Sequence, residues 1–150
     1  MRDVTLLNPR DLSPPRGFSH ASVLEGLVWL GGQVSSDREG RLLYAGNMPA
    51  QFRQALSNMA VALRAAGCRP EGIVKMTYYV TDVEMYRNSL RAIGLAYRDI
   101  MGDHYPAASL FEVRGLFDRL ALIEIECVAV RGEVRVTRAE SLEDEESSGA

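Results

Sequence analysis

Glu124 stands in the alternating stretch Ile123-Glu124-Ile125-Glu126-Cys127-Val128-Ala129-Val130, where a carboxylate could orient or deprotonate a water molecule. A glutamate simply solvated, or paired with lysine on an outward strand face, fits the same pattern. His20 could carry a proton near neutral pH, although a role on a hairpin surface accounts for it more simply. Arg114 and Arg119 follow the penultimate apolar run and could reach a cleft from a loop; ordinary surface arginines are the plainer alternative. Gly31-Gly32 would let a ligand approach the backbone closely, or would mark a strand bulge. Lys75, Tyr79 and Glu126 fit subunit packing and charge pairing, and Cys127 fits a small buried apolar position.

Several chemistries are excluded. Cys68 and Cys127 form no CxxC and no Cys/His cluster at metal-ligand spacing, so no disulfide framework, metal or cofactor is expected and a reducing cytoplasm fits best. The glycines are not spaced GxGxxG, which argues against a phosphate loop. A formal charge of -3 and a pI near 5.4 offer no basic footprint for nucleic acid. No apolar run follows Met1 that would make a signal peptide or a membrane span.

The elements that must position these residues can be read from periodicity. At 150 residues, 47% hydrophobic and 25% charged, the chain fits one folded domain. Residues 1–16 hold Pro9, Pro14 and Pro15 and read as an extended arm, residues 17–134 as the domain, and residues 135–150 as an acidic disordered tail. Phe18 to Leu24 and Leu27 to Val34 read as a hairpin turning at Glu25-Gly26. Asn47 caps a helix whose stripe is Phe52, Ala55, Leu56, Met59, Leu63 and Ala66. Ile73 to Val80 is a strand with Val74, Met76, Tyr78 and Val80 on one face. Thr81 to Glu84 has capping-box spacing before a second helix carrying Tyr86, Leu90, Ile93, Tyr97 and Ile100. Ser109 to Val113 and Leu122 to Val130 complete an α+β order of ββαβαββ. Two helices cover only one face of such a sheet, so the other face predicts a homo-oligomer with clefts between subunits.

From about Arg16 to Arg131 the chain resembles the YjgF/RidA family of reactive intermediate deaminases. The matching pieces include Gly31-Gly32-Gln33, Gln51-Phe52-Arg53-Gln54-Ala55-Leu56-Ser57-Asn58, Ala65-Ala66-Gly67 and Ile73 through Asp82. Pro106-Ala107-Ala108-Ser109, Glu112-Val113 and Ile123 through Val130 follow in family order. The resemblance implies a chorismate-mutase-like homotrimer with a mixed sheet of five to six strands, a central barrel, and small-molecule pockets at subunit interfaces. It implies Glu124 as the catalytic group and Phe18, Gly31, Gly32, Ala108, Ser109 and Leu110 around a small metabolite, with His20, which replaces the family glutamine, and the loop residue Arg114 expected beside them.

Active members anchor a substrate carboxylate with an arginine that this chain replaces by Ala108. Leu110 stands in place of the family cysteine, Phe18 of the tyrosine and Gly31 of the serine, while Glu124 and Ser109 keep the family type. The implied function is therefore binding of a small metabolite with hydrolysis of an imine- or enamine-type carbon–nitrogen compound. The alternatives are a non-catalytic binding or regulatory trimer and, against the charge, an endoribonuclease or translation inhibitor.

Overall fold

The computed structural model describes residues 1–142, and the chain enters its sheet earlier than composition predicts. Thr5–Leu7 forms β1 and pairs antiparallel with β2 (Ala21–Leu24), while Leu12 behind it is buried. Part of the expected arm is thus an edge strand. The three prolines all follow β1, whose backbone satisfies the otherwise open edge of β2. Of the expected acidic tail, residues 143–150 lie outside the described part, while Glu140 is exposed and Arg138 reaches the carbonyl of Asp103 at 3.2 Å.

Strand β2 turns into β3 (Leu27–Gln33) through Glu25 and Gly26, which both take positive φ, 48° and 86°, as a two-residue hairpin turn requires. Phe18, expected to open this strand, stands before it and is exposed. After a long loop, α1 (Met48–Ala65) starts where Asn47 accepts the amide of Ala50, and its predicted stripe is buried. The strand β4 (Ile73–Val80) follows.

The second predicted helix is two helices, α2 (Val83–Asn88) and α3 (Leu90–Met101), broken at Ser89. Its capping residue is Asp82, whose side chain accepts the Met85 amide, so the predicted Thr81–Glu84 box is displaced by one position. The chain closes with β5 (Ala107–Glu112) and β6 (Ile123–Val130).

The sheet order is β1-β2-β3-β6-β4-β5, antiparallel except for the parallel pair β4 and β5, whose crossover is α2 and α3. One face packs on the helices: Val28, Leu30, Ile73, Met76, Val80, Ile123, Ile125 and Ala129 are almost wholly buried with Phe52, Leu56 and Met59 of α1. Val74, expected on that face, is 50% exposed. A register shift between Ile73 and Lys75 sends Ile73 into the core and turns Val74 outward.

The opposite face carries Leu27 and Trp29 of β3, Lys75, Thr77 and Tyr79 of β4, and Glu124, Glu126 and Val128 of β6, all exposed or half-buried. No described helix is long and apolar enough to cross a membrane.

Candidate functional site

The residue that organises the open face is Glu124. In β6 it lies opposite Tyr79, and on its other side it sits over Gly32, where an added Cβ would be 1.8 Å from Glu124 Oε1. The carboxylate occupies the space a side chain at position 32 would take, so any residue larger than glycine there would have to push Glu124 aside. The register of β3 and β6 shifts between Leu30 and Gln33, so the two glycines form the strand irregularity that their sequence allowed. Burial raises the proton affinity of Glu124 above the ordinary carboxylate value, and the charge of Glu126 adds to it. Among the described residues Glu124 has neither a hydrogen bond nor an ion pair, so its protons remain available for chemistry.

Its neighbours are committed to one another. Tyr79 donates its hydroxyl to Glu126 Oε1 at 2.7 Å and stacks on Phe111, ring centroids 6.2 Å apart. That bond, and burial after it, pushes the tyrosine proton affinity upward. Lys75 Nζ donates to Ser109 Oγ at 2.7 Å, which places Ser109 on the same open face as Glu124.

Ala108 and Leu110 face the other way. In the parallel pairing they align with Met76 and Tyr78, so both point toward the helices. Leu110 packs on the core, and Ala108 borders a hollow of about 330 Å³. One copy of the chain therefore does not bring Ala108 and Glu124 together, because they lie on opposite faces of one sheet.

His20, expected on the hairpin surface, is buried at 4% exposure. Its Nε2 lies 2.8 Å from the carbonyl of Ser13, which can only accept, so Nε2 carries the hydrogen. Nδ1 then accepts from Gln33 Nε2 at 3.1 Å, and the same amide donates to the Gly31 carbonyl at 3.2 Å. The His20 amide donates to Asn8 Oδ1 at 2.9 Å. The histidine thus ties the N-terminal segment to β2 and β3, while Phe18 meets its ring edge-on at 5.4 Å. The amide of Gly31 donates to the His20 carbonyl at 2.8 Å, so Gly31 belongs to this tie as well.

Arg114 and Arg119 are exposed on the loop between β5 and β6, and neither forms an ion pair among the described residues. Sequence reasoning overlooked what holds that loop. Gln51 of α1 is fully buried, donates Nε2 to the carbonyls of Leu120 at 3.0 Å and Tyr44 at 3.2 Å, and accepts the Leu122 amide at 2.8 Å. Its only signal was a polar residue on an otherwise apolar stripe. The described residues hold no group of three or more His, Cys, Asp or Glu that would bind a metal ion.

Known proteins share this fold and sequence pattern. Human 2-iminobutanoate/2-iminopropanoate deaminase is 30% identical over 115 residues, covering 77% of this chain and 80% of that protein. The RutC family protein UK114 of Drosophila melanogaster is 30% identical over 121 residues, 81% of this chain and 84% of that one. The crystal structure of the Escherichia coli YjgF gene product superposes with a TM-score of 0.73 at 27% identity, over 85% of this chain and 99% of that chain. A sequence model described as Endoribonuclease L-PSP matches residues 9–131. With that span and those relatives, the chain belongs to the Endoribonuclease L-PSP family, which is the YjgF/RidA family.

Proposed function

We propose that the protein binds a small metabolite in clefts between the subunits of a homotrimer and hydrolyses a carbon–nitrogen double bond there, with Glu124 handling the protons. The observation that carries this reading is a half-buried, unpaired carboxylate whose proton affinity is raised and which lies over Gly32, in space a side chain there would need. Imine hydrolysis needs such a group. The water oxygen bonds to the imine carbon while one water proton passes through the carboxyl to the nitrogen. The hydroxyl proton of the resulting tetrahedral adduct then passes the same way to the amine, the carbon–nitrogen bond breaks, and a carbonyl and ammonia remain. A cleft that uses both Glu124 and the Ala108 side of β5 must take them from different copies, which makes the oligomer part of the site.

The relatives named as 2-iminobutanoate/2-iminopropanoate deaminases supply the reaction class, and Ala108 supplies the difference from the family pattern. An absent, partly desolvated cation for a substrate carboxylate costs on the order of 2–5 kcal/mol, or roughly 30- to 5,000-fold in kcat/KM. Turnover of 2-iminopropanoate and 2-iminobutanoate is therefore expected to be slow. The test generates these imines in place with a coupled readout. The expected result is a rate above buffer that Glu124→Gln removes and Ala108→Arg raises by roughly 30-fold or more. No rate from either the natural chain or Ala108→Arg would remove deamination of these substrates.

A binding or regulatory trimer without turnover is the second reading, favoured by Ala108, Leu110 and Phe18 together, none of which can anchor a charge. A tight metabolite found by native mass spectrometry and never converted would establish it. RNA cleavage has less support, since the formal charge is -3 and the open face sets Glu124 and Glu126 beside a single cation, Lys75. The buried free cysteines Cys68 and Cys127 suit a reducing compartment, and we place the protein in the cytoplasm.

A further inference from the structure

Helix α3 packs on α1, and between α3 and the edge strand β5 a hollow of about 330 Å³ remains, at the small end of the range for small-molecule sites. Its walls are aromatic. Tyr78 stacks on Phe52 with centroids 6.1 Å apart, Tyr86 meets Phe52 edge-on at 6.4 Å, and Tyr97 stacks on Tyr105 at 5.1 Å with the rings 12° from parallel. These contacts hold the rings in place before any ligand arrives. The room itself comes from small residues, Gly94 on α3 and Ala108 on β5.

No Asp, Glu, Lys, Arg or His lines the hollow. An ion entering it would lose hydration and gain no counter-charge, whereas a flat neutral ring would replace water against aromatic faces. The polar groups present are tyrosine hydroxyls. That of Tyr78 leans on the sulfur of Met76 at 3.4 Å, a weak acceptor, and that of Tyr86 has no hydrogen-bond partner among the described residues. Burial raises the proton affinity of both, which keeps them donors at neutral pH and matches them to an acceptor such as a carbonyl oxygen or a ring nitrogen.

We propose that this hollow seats an uncharged, flat-ringed molecule bearing one hydrogen-bond acceptor, and that it thereby sets the substrate class of the cleft. The inference rests on the reading of the cleft given above. Where a family arginine would select a carboxylate, Ala108 opens onto rings that select against one.

Three probes of nearly equal size separate the possibilities: benzamide, benzoate and benzamidinium, titrated into the intact isotope-labelled protein and followed by amide chemical shifts. Benzamide is expected to move the amides of Gly94, Tyr105 and Ala108 and to bind about tenfold or more tightly than either ion. A Cβ added at Gly94 meets nothing within 4 Å, so Gly94→Leu fills open space in a helix that favours leucine over glycine. It should abolish benzamide binding without lowering Tm. Equal affinity for the three probes, shifts confined to other residues, or undiminished binding by Gly94→Leu would overturn the proposal.

Glu124→Gln keeps this test apart from the hydrolysis reading, because it should stop turnover and leave benzamide binding intact. Imine turnover that benzamide fails to inhibit would sink the pocket and spare the hydrolysis. Benzamide binding that depends on Gly94, in a protein without turnover, would do the reverse.

Discussion

Glu124 and Gly32 share one space, and two measurements follow from that. Burial and the charge of Glu126 favour the protonated carboxyl in the folded chain, so the folded protein holds this proton more tightly than the unfolded one does. The sign is opposite to that of a salt-bridged acid. The stabilising contribution is complete below the unfolded value near 4.5 and is lost as pH rises through the raised folded value. Glu124→Gln should therefore match the natural chain in acid and exceed it in stability at neutral pH, as urea denaturation at the two pH values would reveal; a variant less stable at neutral pH would contradict this account. The same shift predicts an acid limb in kcat/KM displaced upward from the ordinary carboxylate range and absent in the variant. Gly32→Ala tests the geometry separately, since its methyl group must push the carboxylate aside from a distance of 1.8 Å. A displacement of about 1 Å costs roughly 100-fold in rate, so turnover should fall far more than Tm; equal loss of both would mean that position 32 matters only for folding. Glu124 was legible as a candidate through the family position it keeps, alternation alone setting it outward like any solvated glutamate, and nothing local announced that its neighbour in space is a glycine more than ninety positions earlier. His20 was misplaced for the same reason, since the groups that bury it, Ser13 and Gln33, meet it only once the segment folds back.

Elements were legible where their determinants are local. The stripe of α1 and its Asn47 cap follow from 3.6-residue spacing and one side chain, and both are present. Strand β1 was not legible, because three residues carry no period of their own and their partner is Ser22 and its neighbours in β2. The outward turn of Val74 depends on a register shift against β6, and the break at Ser89 on how two short helices pack, neither of which alternation encodes. Gln51 is the clearest case of a residue whose role is set by an element far away: its amide satisfies two carbonyls and one backbone amide, two of them on the loop bearing Arg114 and Arg119. Gln51→Leu keeps the volume and strands those buried groups, at roughly 1–3 kcal/mol for the loss. Denaturant unfolding should show that cost, and hydrogen exchange should show the Leu122 amide losing protection while the amides of β6 keep theirs. Unchanged protection at Leu122 would mean that the loop is held by something other than this glutamine.

At the scale of the whole molecule, the sheet has one face covered by helices and one that is apolar at one end and charged at the other. Leu27 and Trp29 are each about two-fifths exposed, and their register partners on β6 are Val130 and Val128. Such a patch on a strand surface is costly to leave in water and is met most economically by copies of itself, because identical strands present identical spacing. An open sheet face was foreseeable from the count of helices against strands; which residues form its apolar end became visible only in the pairing of β3 with β6. Trp29 is the single tryptophan of the chain, so its fluorescence reports this face alone. We expect a light-scattering mass of three times 16.6 kDa and an emission maximum shifted to the blue by burial against a second copy. Val128→Glu places a carboxylate opposite Trp29 without touching the helix-packed core, so the subunit should still fold. Its mass should fall to 16.6 kDa, its emission should move to the red, and imine turnover should vanish even though Glu124 is intact, because the proposed cleft takes residues from two copies. A monomeric Val128→Glu protein that retains full turnover would show that one subunit carries the whole site, and a natural chain that is monomeric at micromolar concentration would leave the open face without its proposed cover.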